Sequence, residues 1–272
     1  MKTNFHTHSC FCDGKGEPQE YVEYAIAHAF THLGFSSHAP VPFKNDFAIK
    51  AEHYRDYCDT VRFLKEKYAE RIAIYLGLEI DYIPRILDDF QPLIGEGRLD
   101  YCIGGVHLVN NPDDDPANIW FIDGPKQETY DEGLQRVFHG DVRRGVTAFF
   151  YQTNLMIERT RPNVVAHFDK IDMHNRGRFF STDEQWYKEL LFETIDHIHS
   201  AGIIAEVNTR GLYKKRHADF YPSQTALQRM KELRIPVLVG TDAHEPANLD
   251  MYEGAFEMLE SMHYPEIVYT PF

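Results

Sequence analysis

Histidine and carboxylate recur at short, even spacings along this chain. His6 and His8 stand two apart in "NFHTHS" near one end, and Asp242 and His244 repeat that spacing in "VGTDAHEP" near the other. In an extended strand such residues project from one face, so each pair could close on one ion. Alone, an HxH pair reads equally well as two histidines at a strand terminus. The wider pattern asks for more: His38, Glu79 with Asp81, His107, His167 with Asp169, and Asn208 each finish another apolar run. Imidazole mixed with carboxylate suits zinc, iron or manganese, whereas calcium and magnesium prefer shells of oxygen alone. No cysteine stands among these strand ends, so the sites read as catalytic rather than as structural zinc.

Those residues can act together only if the elements carrying them end at one place. Apolar runs of strand length alternate with stretches of helical period. The runs "TNFHTH", "HLGFSSHAP", "RIAIYLGLEIDY", "LDYCIGGVHLV", "PNVVAHFDKID", "IIAEVNTRG" and "IPVLVGTDAH" predict seven strands. Helices are expected over roughly 18–32 after Pro18, near 50–70, briefly from Pro84, and from about 127, continuing into or breaking before "VTAFFYQTNLMIERT". Three more follow in "TDEQWYKELLFETIDHIHSAG", in "SQTALQRMKELR" and over about 246–262. Alternating strand and helix favours a parallel sheet, open or closed. An open sheet would leave its outermost strand ends far apart. In a barrel every C-terminal strand end rings one pocket, where barrel enzymes place their chemistry. The fold expected is therefore α/β, a TIM-like (β/α)7 barrel over residues 1–272 as one domain.

Bulk properties limit the partners. The 272 residues carry 28 Lys and Arg against 42 Asp and Glu, a formal charge of −14. With no basic block, nucleic acid is disfavoured as a partner, while a small phosphorylated substrate is compatible. The amino-terminal segment lacks the apolar core of a signal peptide, and no run reaches the roughly 18 apolar residues of a membrane span. No membrane contact and a cytoplasmic location are expected; oligomeric state has no signature. Cys10 and Cys12, the one close pair among four cysteines, read as free thiols in a reducing cytosol.

The order HxH, Asp13, "SSHAP", "GLEID", "GGVHLV", "AHFD", "EVNT" and "TDAH" closely resembles the polymerase and histidinol phosphatase (PHP) superfamily, in particular its histidinol-phosphate phosphatase branch. The resemblance runs essentially the full length of the chain and implies a distorted seven-stranded barrel around a trinuclear centre of Zn, Fe or Mn. By that resemblance His6, His8, Glu79 and Asp242 would hold one ion. Glu79 would bridge to a second, shared with His107 and His167, and Asp13, His38 and His244 would hold a third. In "CDGKGEP" Asp13 also suits a plain turn. Glu79, Asp242 and His244 are the residues expected to be catalytic. Three divalent ions would outweigh the carboxylates of Asp13, Glu79 and Asp242 and leave the centre at about +3, attractive to a phosphate dianion. A hydroxide between two such ions would attack phosphorus in line. The activity implied is hydrolysis of L-histidinol phosphate to L-histidinol and phosphate, a step of histidine biosynthesis. Another small phosphate ester or nucleotide is the alternative, and a metal-dependent structural module is a third reading, which an intact ligand set opposes.

Beyond the ions, the phosphate needs cations. Arg210 in "NTRGLYKK" is the first candidate because its fork makes paired contacts, with Arg161 and Lys170 flanking the fifth strand. A solvated surface cation is the plain alternative for each. Asn208 either binds substrate or orients a ligand. Asp81 and Asp169 lie two residues past a proposed ligand and suit hydrogen bonding to a histidine from outside, with a plain exposed acid as the alternative for each. No acid for the leaving alkoxide is marked. His28, His32, His139, His197, His199 and His263 are expected on helices, as packing or surface residues, with His53 similar and His174 and His217 in loops near the mouth. The segment "NIWFIDG" offers aromatic surfaces for an imidazole, or ordinary core, and the acids at 113–115 a solvated turn.

Overall fold

Parallel strands covered by helices must be apolar on the outside, and the alternation of inward and outward side chains then decides what the barrel holds. The computed structural model describes residues 1–272. The chain runs β1 (Thr3–Asn4), α1 (Pro18–Ala27), β2 (His32–Phe35), α2 (Tyr54–Lys67), β3 (Ala73–Asp81), α3 (Gln91–Gly97) and β4 (Tyr101–Gly105). A hairpin of β5 (Leu108–Asn110) and β6 (Ile119–Phe121) follows, then α4 (Gln127–Phe138), α5 (Val142–Thr160) and β7 (Val164–Val165). The last third holds α6 (Gln185–Ala201), β8 (Ile204–Asn208), α7 (Arg210–Tyr213), α8 (Gln224–Glu232), β9 (Val237–Gly240), α9 (Ala255–Ser261) and β10 (Ile267–Val268). Eight strands form one parallel sheet in the order β1-β2-β3-β4-β7-β8-β9-β10, and β5 pairs with β6 alone, antiparallel.

The sheet curls until its ends meet at the upper rim. Past β1 and β9 the backbone forms a parallel bridge between Thr7 and Ala243. There the His8 amide donates to the Ala243 carbonyl (2.8 Å) and the Ala243 amide to that of His6 (3.0 Å). Eight strands are found where seven were expected: β10 pairs with the lower end of β9, Ile267 opposite Val237. Two residues carry too little pattern to announce a strand.

Alternation sorts the side chains. On β3, Leu76, Leu78 and Ile80 join the large core under the helices, while Glu79 turns inward. Below the rim the interior is apolar, filled by Phe5, Tyr101, Ile103, Val164, Ala166 and Leu238. The Phe272 ring closes that end, edge-on to Phe5 at 6.2 Å between centroids. A Cβ on Gly34 or Gly77 would fall onto the Tyr101 ring, so those strands admit the tyrosine only because both positions are glycine. Its hydroxyl donates to the Phe5 carbonyl at 2.6 Å and lies 3.1 Å from that of Phe35, tying the first two strand segments to β4.

Several helix expectations change. Pro84 lies in a turn bracketed by an Ile83–Leu87 bridge, and the helix begins at Gln91. The segment from 127 breaks at His139 and Gly140, both left-handed, and restarts where Asp141 accepts the Arg144 amide. The final helix is divided into a 3-10 turn (Pro246–Asn248) and α9 by Gly254 at φ 77°. Helix α1 stops at Ala27, so His32 opens β2 instead of sitting on a helix. At its start Glu17 and Glu20 form a reciprocal capping box with Pro18 in the first turn. The hairpin went unseen because its strands are three residues each, set in Asn-, Asp- and Pro-rich sequence. No helix is long and apolar enough to cross a membrane.

If the Tyr101 hydroxyl ties the barrel floor, Tyr101→Phe leaves the Phe5 carbonyl short of a buried partner and costs about 1–2 kcal/mol in urea unfolding. A change within experimental error would show that the ring alone carries the packing.

Candidate metal centre

The inward positions at the strand ends converge on Glu79, which is buried. Its Oε2 lies 3.2 Å from His6 Nε2, 3.4 Å from His8 Nε2 and 3.1 Å from His38 Nδ1. Its Oε1 lies 2.9 Å from His167 Nε2 and 3.4 Å from His107 Nε2. Asp242 Oδ1 faces His8 Nε2 and His244 Nδ1, each at 3.3 Å, and Asp13 Oδ1 faces His244 Nε2 at 3.2 Å. Nine residues thus form overlapping groups able to hold an ion: His6, His8 and Asp242; His6, Glu79 and His167; His38, Glu79 and His107; and His8, Asp13, His38 and His244. The grouping is less tidy than the resemblance implies. His8 reaches toward the Asp13 group, its ring 4.0 Å from that of His244, and His38 stands between Asp13 and Glu79.

The donors fit divalent cations. His6 Nε2, His8 Nε2 and His38 Nδ1 are buried without a hydrogen-bond partner, an arrangement that costs energy unless something else accepts their lone pairs. The set is imidazole and carboxylate with no thiolate, as zinc, iron or manganese prefer. Burial would raise the Glu79 pKa, but His6, His107 and His38 outweigh it and hold the carboxyl well below its usual range. Asp242 is likewise held down against burial, by Arg210, His6 and Lys170. His8 is pushed well below its ordinary value by burial and by His244 and His38, leaving the neutral, ligating form. Burial opposes protonation of His107, yet Asp81, Asp123 and Glu79 carry it up to about 10. Two rim residues, His167 (φ 22°) and Asp242 (φ 50°), have left-handed backbones that a side chain rarely adopts, which aims them inward where the strands end.

Outer carboxylates aim the rings. Asp81 Oδ1 accepts the His107 amide at 2.8 Å and lies 3.0 Å from its Nδ1, leaving Nε2 toward Glu79. Glu206 does the same for His6, Oε1 to Nδ1 at 2.6 Å, and a Cβ on Gly240 would strike that carboxylate. Asn208 donates to Glu206 Oε2 (3.0 Å) and approaches Asp242 Oδ2 (3.4 Å), contacts that suit the orienting one of its two expected roles. Arg210 reaches the site, with Nη1 donating to the Asp242 carbonyl (2.7 Å) and lying 2.5 Å from His244 Nδ1. Lys170 is buried with Nζ 2.8 Å from Asp123 and 3.7 Å from Asp242.

Two expected residues lie elsewhere. Arg161 caps α5 ahead of β7, at the opposite end of the strand from the site, and donates to the Ala201 carbonyl. Asp169 touches no histidine ligand. Its Oδ2 accepts the Ser223 amide (2.7 Å) and burial pushes its pKa up to about 7. After the strand the chain turns into a 3-10 helix (Lys170–Asp172), so spacing by two no longer keeps one face. Two residues were missed. Glu206 stands two before Asn208 on β8, and strand alternation could have found it. Asp123 sits in the loop after β6, where no period points inward. Of the aromatics, Trp120 is core, bonded to the Tyr130 carbonyl, while Phe121 stacks on Phe47 at 5.5 Å beside a cleft of about 590 Å³ over the cluster.

Residues 4–210 match the family model described as PHP domain, and the chain belongs to that family. A Schizosaccharomyces pombe protein assigned as a histidinol-phosphatase is 28% identical over 263 residues, spanning 90% of this chain and 81% of its own. A Listeria monocytogenes structure assigned as a histidinol phosphatase superposes with a TM-score of 0.81 at 21% identity, over 94% of this chain and 100% of the other. The histidinol phosphate phosphatase of Lactococcus lactis, crystallised with zinc, L-histidinol and phosphate, superposes with a TM-score of 0.67 at 19% identity. That superposition spans 99% of this chain and 97% of the other.

Glu206→Gln keeps the shape but weakens the acceptor behind His6. It is expected to lower metal affinity about 10- to 100-fold in competition with a chromogenic chelator, with an unchanged circular dichroism spectrum. Unaltered affinity would show that Glu206 does not prepare His6.

Proposed function

We propose that this chain is a metal-dependent phosphomonoesterase that hydrolyses L-histidinol phosphate to L-histidinol and phosphate. The observation that carries the reading is the cluster of nine ligand residues, eight of them gathered around Glu79, at the floor of a cleft that also presents Lys170 and Arg210. The names of the curated relatives, and the ligands of the lactococcal structure, favour this substrate and favour zinc. Following the family resemblance, we assign these nine residues to three divalent ions: one to His6, His8, Glu79 and Asp242, one to Glu79, His107 and His167, and one to Asp13, His38 and His244.

Held by these residues, divalent ions would supply Lewis acidity toward the phosphate and a lowered pKa for attacking water. The chain supplies the remainder. Lys170 Nζ, kept protonated because Asp123 and Asp242 outweigh its burial, donates to phosphate oxygens from the cleft floor. Arg210, fixed against the Asp242 carbonyl, offers its remaining N–H groups from the β8 side. Phe47 and Phe121 present aromatic faces to the imidazole, and Asp46 on the same wall suits the ammonium.

The direct test is phosphate release from a panel of histidinol phosphate, nucleotides and an aryl phosphate, with and without chelator. Histidinol phosphate should show the highest kcat/KM, and chelation should abolish all turnover. Activity that survives complete metal removal would sink the mechanism, whereas equal turnover of every ester would sink only the substrate.

Glu79→Gln separates the ligand map from activity. Because Glu79 is assigned to two ions, the variant should lose two metal equivalents together by elemental analysis while still folding. An unchanged metal count would overturn the bridge.

A further inference from the structure

One basic feature lies outside the cleft. Lys214, Lys215 and Arg216 are the chain's one run of three consecutive cations, in a sequence whose formal charge is −14. The absence of a basic block expected from sequence therefore holds only for longer runs. The fold places that run, just after α7, opposite Arg176 in the loop before α6, and the Arg176 guanidinium donates to the Arg216 carbonyl at 3.0 Å. Between the two loops lies a groove of about 650 Å³, lined by Arg176, Lys215, Arg216 and His217 with the hydroxyls of Ser181 and Thr182.

Charge in this groove is uncompensated. Its one acid, Asp172, is already engaged by Asn175 Nδ2 (2.7 Å) and His217 Nε2 (3.1 Å). The neighbouring cations Arg178 and Arg210 face Asp131 and Asp242, but Arg176, Lys215 and Arg216 face no carboxylate. Arg176 (φ 47°) and Lys215 (φ 55°) also hold left-handed backbones, a cost that persists only where the surrounding structure enforces it. Arg216 lines both this groove and the metal cleft, so the two adjoin on either side of its side chain.

We propose that the groove is a second phosphate site, which collects the incoming phosphate monoester dianion and passes it across Arg216 to the metal cleft. The proposal rests on the phosphatase reading for its purpose but not for its binding. An acidic protein repels a dianion at a distance, and salt limits that repulsion to about 8–10 Å. Within that range the unpaired cations set the local sign, and they lie beside the mouth.

The test uses the metal-loaded enzyme and the double variant Arg176→Gln/Lys215→Gln, which spares Arg216 and every cluster residue. At low ionic strength the variant should lose about five- to tenfold in kcat/KM with kcat unchanged, and the deficit should close near about 0.5 M salt. Equal kcat/KM at low salt, a deficit that persists at high salt, or a change confined to inhibition by product phosphate would overturn delivery. Equilibrium dialysis with inorganic phosphate should count two classes of site on the wild type and one on the variant; a single class on the wild type would overturn the site. Neither the dialysis nor steering of an aryl phosphate requires histidinol phosphate to be the substrate, so the two proposals fail separately.

Discussion

A carboxylate buried among imidazoles is the constraint on which the rest of this structure depends. Glu79 sits at the closed centre of five histidine rings, and it stays ionised there only because positive charge is near. The rings in turn leave nitrogens without partners. A buried polar group without compensation is expensive, and several in one place would unfold an ordinary core. The cluster is tolerable in so far as its members satisfy one another, and bound cations would take up the lone pairs that remain. Stability and metal affinity are for this reason linked: whatever binds the folded cluster and not the unfolded chain stabilises the fold.

The barrel separates that polar load from the apolar packing that holds it. Along each strand, the lower inward positions are Phe5, Tyr101, Ile103, Val164 and Leu238, and the upper ones are acids and histidines. Closure at Thr7 and Ala243 is the step that joins the ends of the chain, because it seats His6 and His8 beside Asp242 and His244. The two pairs do not act as two chelates. His6 leans toward Glu79 and Glu206, while His8 is shared between Asp242 and the Asp13 group, so the ring positions are fixed by second partners as much as by strand spacing.

What could be read from the sequence follows from periodicity. Residues on or just beyond strands, such as Glu79, His107 and Asp242, were legible because alternation leaves them on the inner face where an apolar run ends. Glu206 obeys the same rule, two residues before Asn208 on β8, but lies inside the apolar run rather than at its end. Asp169 and Arg161 misled for geometric reasons: one lies where the strand has already become a 3-10 turn, the other at the wrong end of its strand. Asp123 and the β5–β6 hairpin were beyond reach, since a loop's inward residue is set by tertiary packing around Trp120 and not by any period.

The electrostatics divide along the same lines. Net charge says how a molecule behaves from afar, and −14 speaks against polyanions. At the mouth the sign is reversed by few residues: Lys170 and Arg210 from inside the barrel, Arg216 at the edge, Arg176 and Lys215 beyond it. Inside, each cation is held by a carboxylate and so is positioned; outside, they are unpaired and so are free to meet an anion. That gradient, from unpaired to paired cation, runs toward the cluster. On the two-site proposal a small dianion meets a cation at each step inward, from Arg176 and Lys215 through Arg216 to Lys170 and Arg210. On the same proposal, preference for a small phosphate ester rests on the distribution of charge rather than on a steric gate.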